Sequence, residues 1–172
     1  MQHTDLINIL REGSSVQRCH TLPHHGEYSV GKHSYDAVML LLTLNPEASK
    51  NLIKAVLVHD IAERWTGDMP GPAKWSDVEL GRRLDNLERK CLKSIGWDIL
   101  LTAEERIWLS TVDVIEFFLW TKEQLAMGNM NAAVIVGRLI TQFKHMTIPK
   151  VARDFIDQHE WTRTPDTLPN QK

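Results

Sequence analysis

Val112-Asp113-Val114-Ile115-Glu116-Phe117-Phe118-Leu119 is apolar on nearly every side when wound as a helix. A segment without a polar stripe for water belongs at the centre of a helical bundle. Just before it, Thr102 and Glu105 have the spacing of a capping box, which opens a helix running to about Met127. Gly128-Asn129 stops it. An aspartate inside such a helix is costly unless its charge is paired or bound to a metal ion. Asp113 is therefore the first residue that asks for chemistry.

Outward from that segment the periodicity stays helical. Leu6, Ile7, Ile9 and Leu10 mark a short first helix, ended by Gly13, Ser14 and Ser15. Residues 13–32 fit no period and read as a long loop, a kind of segment that often carries function. A second helix is predicted from about His33 to Leu44. Asn45-Pro46 supplies an N-cap and first-turn proline for a third, reaching about Arg64. Gly67, Pro70, Gly71 and Pro72 form a second loop. Ser76 with Glu79 reads as another capping box, for a helix that ends before Gly96. Asn131 opens a helix to about Met146, and Pro149 precedes a last short one. No segment alternates convincingly with period two. The expected fold class is all-α, a compact bundle of about six to seven helices. Residues 1–160 are expected to form one domain, and residues 161–172, with Pro165 and Pro169, an irregular tail.

The chain has 172 residues, 42% hydrophobic and 24% charged, with a net charge of -2. That length can bury a real core. A balance that is not basic argues against broad nucleic-acid binding. Cys19 and Cys91 lack metal-binding spacing and read as reduced thiols of a cytoplasmic protein. No secretory signal and no membrane span is expected.

The informative residues are polar ones on apolar faces. Stepping back one turn from the stripe Ala37, Leu40, Leu41, Leu44 lands on His33. The stripe Leu52, Val56 continues into His59, Asp60 and Glu63. With Asp113, three helices thus aim two histidines and two aspartates inward. Each alone has a blander explanation, a satisfied core histidine or an aspartate paired with arginine. Together they favour one divalent ion, and nitrogen with carboxylate oxygen suits Mn²⁺, Co²⁺, Fe²⁺, Ni²⁺ or Zn²⁺.

The run His59-Asp60-Ile61-Ala62-Glu63-Arg64-Trp65-Thr66-Gly67-Asp68-Met69-Pro70-Gly71-Pro72-Ala73-Lys74-Trp75 strongly resembles the HD-domain phosphohydrolases. More narrowly it resembles their branch of phage dATP triphosphohydrolases (the DatZ family) and bacterial 5′-deoxyribonucleotidases. Arg18 matches the arginine which that branch places before its first metal histidine. The resemblance covers about residues 10–130. It implies a bundle with a central metal, which for this family includes Mg²⁺ among the admissible ions. His33, His59, Asp60 and Asp113 would be the ligands. The ion would polarise a phosphoryl oxygen and acidify water. Glu63 would orient or deprotonate that water. Asp68 would assist the water or the leaving 5′-oxygen. Arg18 and Lys74 would bind phosphate, with Cys19, His20, Thr21 and Pro72 beside sugar and base. Trp65 and Trp75 could stack on a base, although core packing or a partner interface suits them better. The branch often has tryptophan where this chain has Cys19, which bears on base selectivity.

The resemblance implies hydrolysis of a small deoxynucleotide and a homo-oligomer, either a dimer or a hexameric ring. It leaves two enzymes open. A phage-type dATP triphosphohydrolase, depleting dATP in the host cytoplasm, is the favoured one, with Lys32, Lys74, Arg82 and Arg83 as cations for three phosphates. A 5′-deoxyribonucleotidase acting on monophosphates is the alternative. A metal-binding module without activity would be expected to lack Glu63, Asp68 or Arg18, and all three are present.

Overall fold

The computed structural model describes residues 2–158; the expected tail at 161–172 lies outside them. The described residues form nine helices and no strands: α1 (His3–Ser14), α2 (Val30–Leu44), α3 (Lys50–Val58), α4 (Glu63–Thr66), α5 (Gly71–Ser76), α6 (Val78–Ser94), α7 (Ala103–Ala126), α8 (Ala132–His145) and α9 (Lys150–Gln158). The all-α expectation holds, with two helices more than the seven that periodicity marks. One comes from a break in the expected third helix after Val58. The other is α5, a short helix inside the Gly/Pro-rich loop.

α7 is the spine. It packs against α2, α3 and α8, and α2 also packs on α3. Thr102 and Glu105 form the expected reciprocal capping box at its start. Its buried Val112, Ile115 and Phe118 meet Ala37 and Leu41 from α2, Leu52 and Val56 from α3, and Val136, Leu139 and Phe143 from α8. A smaller core of Val30, Val58 and Ile61 lies at the α1 side.

Several boundaries differ from the sequence reading, each for a local reason. α2 begins at Val30, one turn early, because Ser29 caps it by accepting the Lys32 N–H. Asn45 closes α2, and Ser49 is the cap of α3, accepting from Leu52. Proline after Asn45 excludes a continuing helix but does not itself start the next. At α6 the cap is Asp77, accepting from Glu79 and Leu80, and Ser76 ends α5. Serine and aspartate are about equally good caps, and here the carboxylate takes the role. Among the described residues no helix is long and apolar enough to cross a membrane.

Candidate metal centre

The expected third helix breaks where the His59-Asp60 dipeptide stands. After Val58 the backbone closes in tight i+3 turns, Ile61 N–H to Val58 O at 3.1 Å and Glu63 N–H to Asp60 O at 2.9 Å. These turns present His59 and Asp60 together toward α2 and α7. Gly13 allows α1 to approach them closely, since a Cβ there would lie 2.8 Å from the Ile61 carbonyl oxygen.

His33 Nε2 lies 3.2 Å from His59 Nε2, 3.2 Å from Asp113 Oδ1 and 3.7 Å from Asp60 Oδ2. His59 Nε2 lies 3.3 Å from Asp60 Oδ2 and 3.7 Å from Asp113 Oδ1. A tetrahedral ion with bonds of about 2.0–2.2 Å sets its donors roughly 3.3–3.6 Å apart. The donor set therefore fits one divalent ion, with His33, His59 and Asp60 forming a candidate group and Asp113 at similar distances from both histidines. Both imidazoles are oriented for it from behind. His59 Nδ1 donates to the Val56 carbonyl at 2.8 Å, and His33 Nδ1 donates to Glu116. Each leaves Nε2 as the free donor atom. The His33 side chain is fully buried, whereas Asp60 and Asp113 keep 21% and 35% of their accessibility. The centre is therefore open to a ligand on its carboxylate side.

The electrostatics favour positive charge at this point. Burial acts against charge on every member. For His59 the charge of Asp60 and a hydrogen bond donated to Asp113 outweigh it, holding the imidazole well above its usual range. His33 is raised through Asp113 and Glu116. Asp60 sits well below the carboxylate range because of His59 and Arg18. Asp113 is low because both histidines face it.

Around this centre the other expected residues divide. Arg18 is drawn into it: its Nη1 donates to Asp60 Oδ2, and its guanidinium lies 5.5 Å over the Tyr28 ring. Arg18 Nε is buried and unpartnered, as is Glu63 Oε2, and such orphans mark where a ligand belongs. Glu63 is 5% exposed. Burial, and then the charge of Asp60, push its carboxyl up to about 8. Lys74 is half-buried, and its charge acts on Glu63 and Glu88.

Asp68 Oδ2 accepts the Cys19 backbone N–H at 2.7 Å and lies 3.6 Å from His20 Nδ1. The two loops thus meet at the site. Gly67, at φ 71 and ψ 164, adopts a conformation open essentially to glycine alone and turns the chain toward Asp68. Cys19 itself holds a left-handed φ of 55. Burial pushes its thiol up to about 12, so it is no nucleophile.

Thr21 and Pro72 are exposed on their segments. Trp65 and Trp75 are exposed, not in the core, and lie beneath Arg64 and Arg138. Lys32 pairs with Asp36, and Arg82 and Arg83 pair with Glu79, all on exposed helix surface. Two participants escaped the sequence reading. Glu116 and Tyr28 are buried directly behind His33. The signal for Glu116 was available, since it stands one turn after Asp113 in the same apolar run. Tyr28 lay in a loop where periodicity says nothing.

Comparison with known proteins agrees with this geometry. A sequence comparison with curated proteins gives no match. The cyanophage S-2L HD phosphohydrolase DatZ, whose structure is bound to dA and one catalytic Zn²⁺ ion, is similar at 16% identity with a TM-score of 0.66, covering 98% of this chain and 99% of that one. An HD-domain phosphohydrolase from Listeria innocua is similar at 17% identity with a TM-score of 0.72, covering 92% and 87%. A Pyrococcus horikoshii protein is similar at 16% identity with a TM-score of 0.73, covering 93% and 99%. These likenesses give the fold. The model of the 5′-deoxynucleotidase YfbR-like family matches residues 5–100, more than half of the chain and the span that brings Arg18, His33, His59, Asp60, Glu63 and Asp68. This all-helical protein is a metal-dependent phosphohydrolase and belongs to the YfbR-like 5′-deoxynucleotidase family.

Proposed function

We propose that the chain removes phosphate from deoxynucleoside 5′-monophosphates. The observation that carries this reading is the supply of positive charge. Arg18 donates to Asp60 within the site, and Lys74, half-buried on α5, stands near enough for its charge to act on Glu63. Lys32, Arg82 and Arg83 stand on exposed surface beside their own helical neighbours. Such surface pairs contribute about 0–1 kcal/mol, so location rather than pairing keeps them from the substrate. One phosphate is matched by a divalent ion, one arginine and one lysine. Three phosphates would lack cationic partners at the distal end.

In this reading His33, His59, Asp60 and Asp113 hold the ion. When bound it supplies Lewis acidity toward a phosphoryl oxygen and acidifies water. Arg18 keeps Asp60 in place with one arm and turns its free Nε toward phosphate. Lys74 adds a second positive charge. Glu63, whose raised affinity for a proton suits it to accept one near neutrality, takes the proton of the attacking water. Asp68, fixed by the Cys19 N–H, stands where the 5′-oxygen departs. Cys19, His20, Thr21 and Pro72 flank sugar and base.

The second reading is a dATP triphosphohydrolase. It is favoured by the near-complete mutual coverage with the dA-bound DatZ structure. One assay separates the two. Monophosphates and triphosphates of all four deoxynucleosides are incubated with Mn²⁺, Co²⁺, Mg²⁺ or Zn²⁺, and products are resolved as phosphate, pyrophosphate or triphosphate. Phosphate from monophosphates is expected. Triphosphate from dATP would replace this reading with the second. Release of neither from any nucleotide by metal-loaded protein would leave a binding module. The same reading places the enzyme in the cytoplasm as a homo-oligomer without stable nucleic-acid binding. Exposed Tyr35, Met39 and Leu42 along one face of α2 support self-association, and a monomer by light scattering would remove that part.

A further inference from the structure

We infer that Glu116, clamped by Tyr28, is a positioning residue that fixes His33 in the one tautomer and orientation able to ligate metal, and that it ties the Arg18 loop to the metal centre as a single unit. The inference rests on the metal-centre reading above.

His33 and Tyr28 are fully buried and Glu116 is 4% exposed. A carboxylate this deep is tolerated only with donors against it. Glu116 has two, both on Oε2: the Tyr28 hydroxyl at 2.6 Å and His33 Nδ1–H. A carboxylate accepting from Nδ1–H leaves the lone pair on Nε2 and makes that nitrogen more basic. α7 thus acts on His33 from two sides. Asp113 faces Nε2, and Glu116, one turn later, faces Nδ1.

Tyr28 extends the arrangement. Its ring is stacked on Trp120, with centroids 4.2 Å apart and planes 9° from parallel, so the phenol cannot swing away from Glu116. Its carbonyl accepts the Arg18 N–H at 2.7 Å, and its ring lies under the Arg18 guanidinium. Arg18 in turn holds Asp60. The contacts His33–Glu116–Tyr28–Arg18–Asp60 therefore form an arc behind the site. They join two ligands by a route that does not pass through the ion.

The test is Zn²⁺ affinity, by chelator competition, of the full chain and of Glu116→Gln and Tyr28→Phe, with helicity checked by circular dichroism. Glu116→Gln keeps shape and an acceptor oxygen but removes the charge, and should weaken zinc binding roughly 10–100-fold. Tyr28→Phe keeps the aromatic stack and should weaken it several-fold. In zinc-loaded protein the His33 Nδ1–H proton resonance should be protected from exchange and far downfield, and Glu116→Gln should move it upfield. If Glu116→Gln folds and binds zinc within about twofold of wild type with that resonance unmoved, Glu116 only fills the core and the inference is overturned. Should Glu116→Gln fail to fold, Tyr28→Phe decides in the same way. Failure of the wild-type protein to bind zinc, manganese or cobalt would instead refute the metal-centre reading itself.

Discussion

At the residue scale the proposed function separates groups that would hold the ion from a group that would handle the proton. Replacing His59 or Asp113 by alanine removes one corner of the donor set, and both variants should lose bound metal and activity together. Elemental analysis of purified protein checks this, and full stoichiometric metal in either variant would contradict the assignment. Glu63→Ala should retain metal and lose about 10²–10⁴-fold in kcat, the usual worth of a positioned proton acceptor. Near-normal turnover would remove Glu63 from catalysis.

The raised histidines and lowered aspartates also fix how metal-free protein responds to pH. The imidazolium contribution is complete below the ordinary histidine value of about 6.5 and is lost as pH rises through the raised folded values. The carboxylate contribution is present above about 3.9 and is lost as pH falls through the lowered values. Metal-free protein should therefore melt at progressively lower temperature from neutral into alkaline pH, and excess metal ion should suppress that loss. A metal-free Tm that climbs from pH 6 to 9 would contradict this.

At the scale of elements, the centre depends on how α1, α3 and α7 meet. Gly13→Ala would press a methyl group onto the Ile61 carbonyl, in the turn between Asp60 and Glu63. Overpacking of this kind costs about 1–3 kcal/mol. The variant should lose that much in urea unfolding and bind metal more weakly, because the strain falls on the turn that presents His59 and Asp60. Unchanged metal affinity would show that the turn is held by other contacts.

This is also where the sequence was least legible. Side-chain periodicity reads faces, so it placed His33, His59, Asp60 and Asp113 on inward faces, and the structure brings the four together, His59 and Asp60 from the turns after α3. It does not register a change in backbone hydrogen bonding that leaves faces nearly in register, and so it ran α3 straight through to Arg64. The helix caps show a related limit. Thr102 was readable because its box is reciprocal, whereas Ser76 and Asp77 are both able caps and only tertiary packing chooses between them. Trp65 and Trp75 were left between core, interface and base stacking because neither has a helical stripe to settle it, and their exposure removes the core option.

For the whole molecule, an all-α bundle with a central α7 follows from one segment too apolar to face water. Binding of an ion to the folded state alone should stabilise it by about 2.7 kcal/mol at 100 times the dissociation constant. For a chain of this size that is roughly 5–10 °C in Tm. His59→Ala should show little of that rise. The clamp behind His33 was hidden from the sequence at this scale, because Tyr28 and Glu116 are 88 residues apart and only the fold brings them together.

The most direct measurement is anomalous X-ray diffraction from crystals grown with Mn²⁺ or Zn²⁺. A peak is expected about 2.0–2.2 Å from His33 Nε2, His59 Nε2 and a carboxylate oxygen of each of Asp60 and Asp113. A peak elsewhere, or no peak with those four side chains turned away from one another, would contradict it.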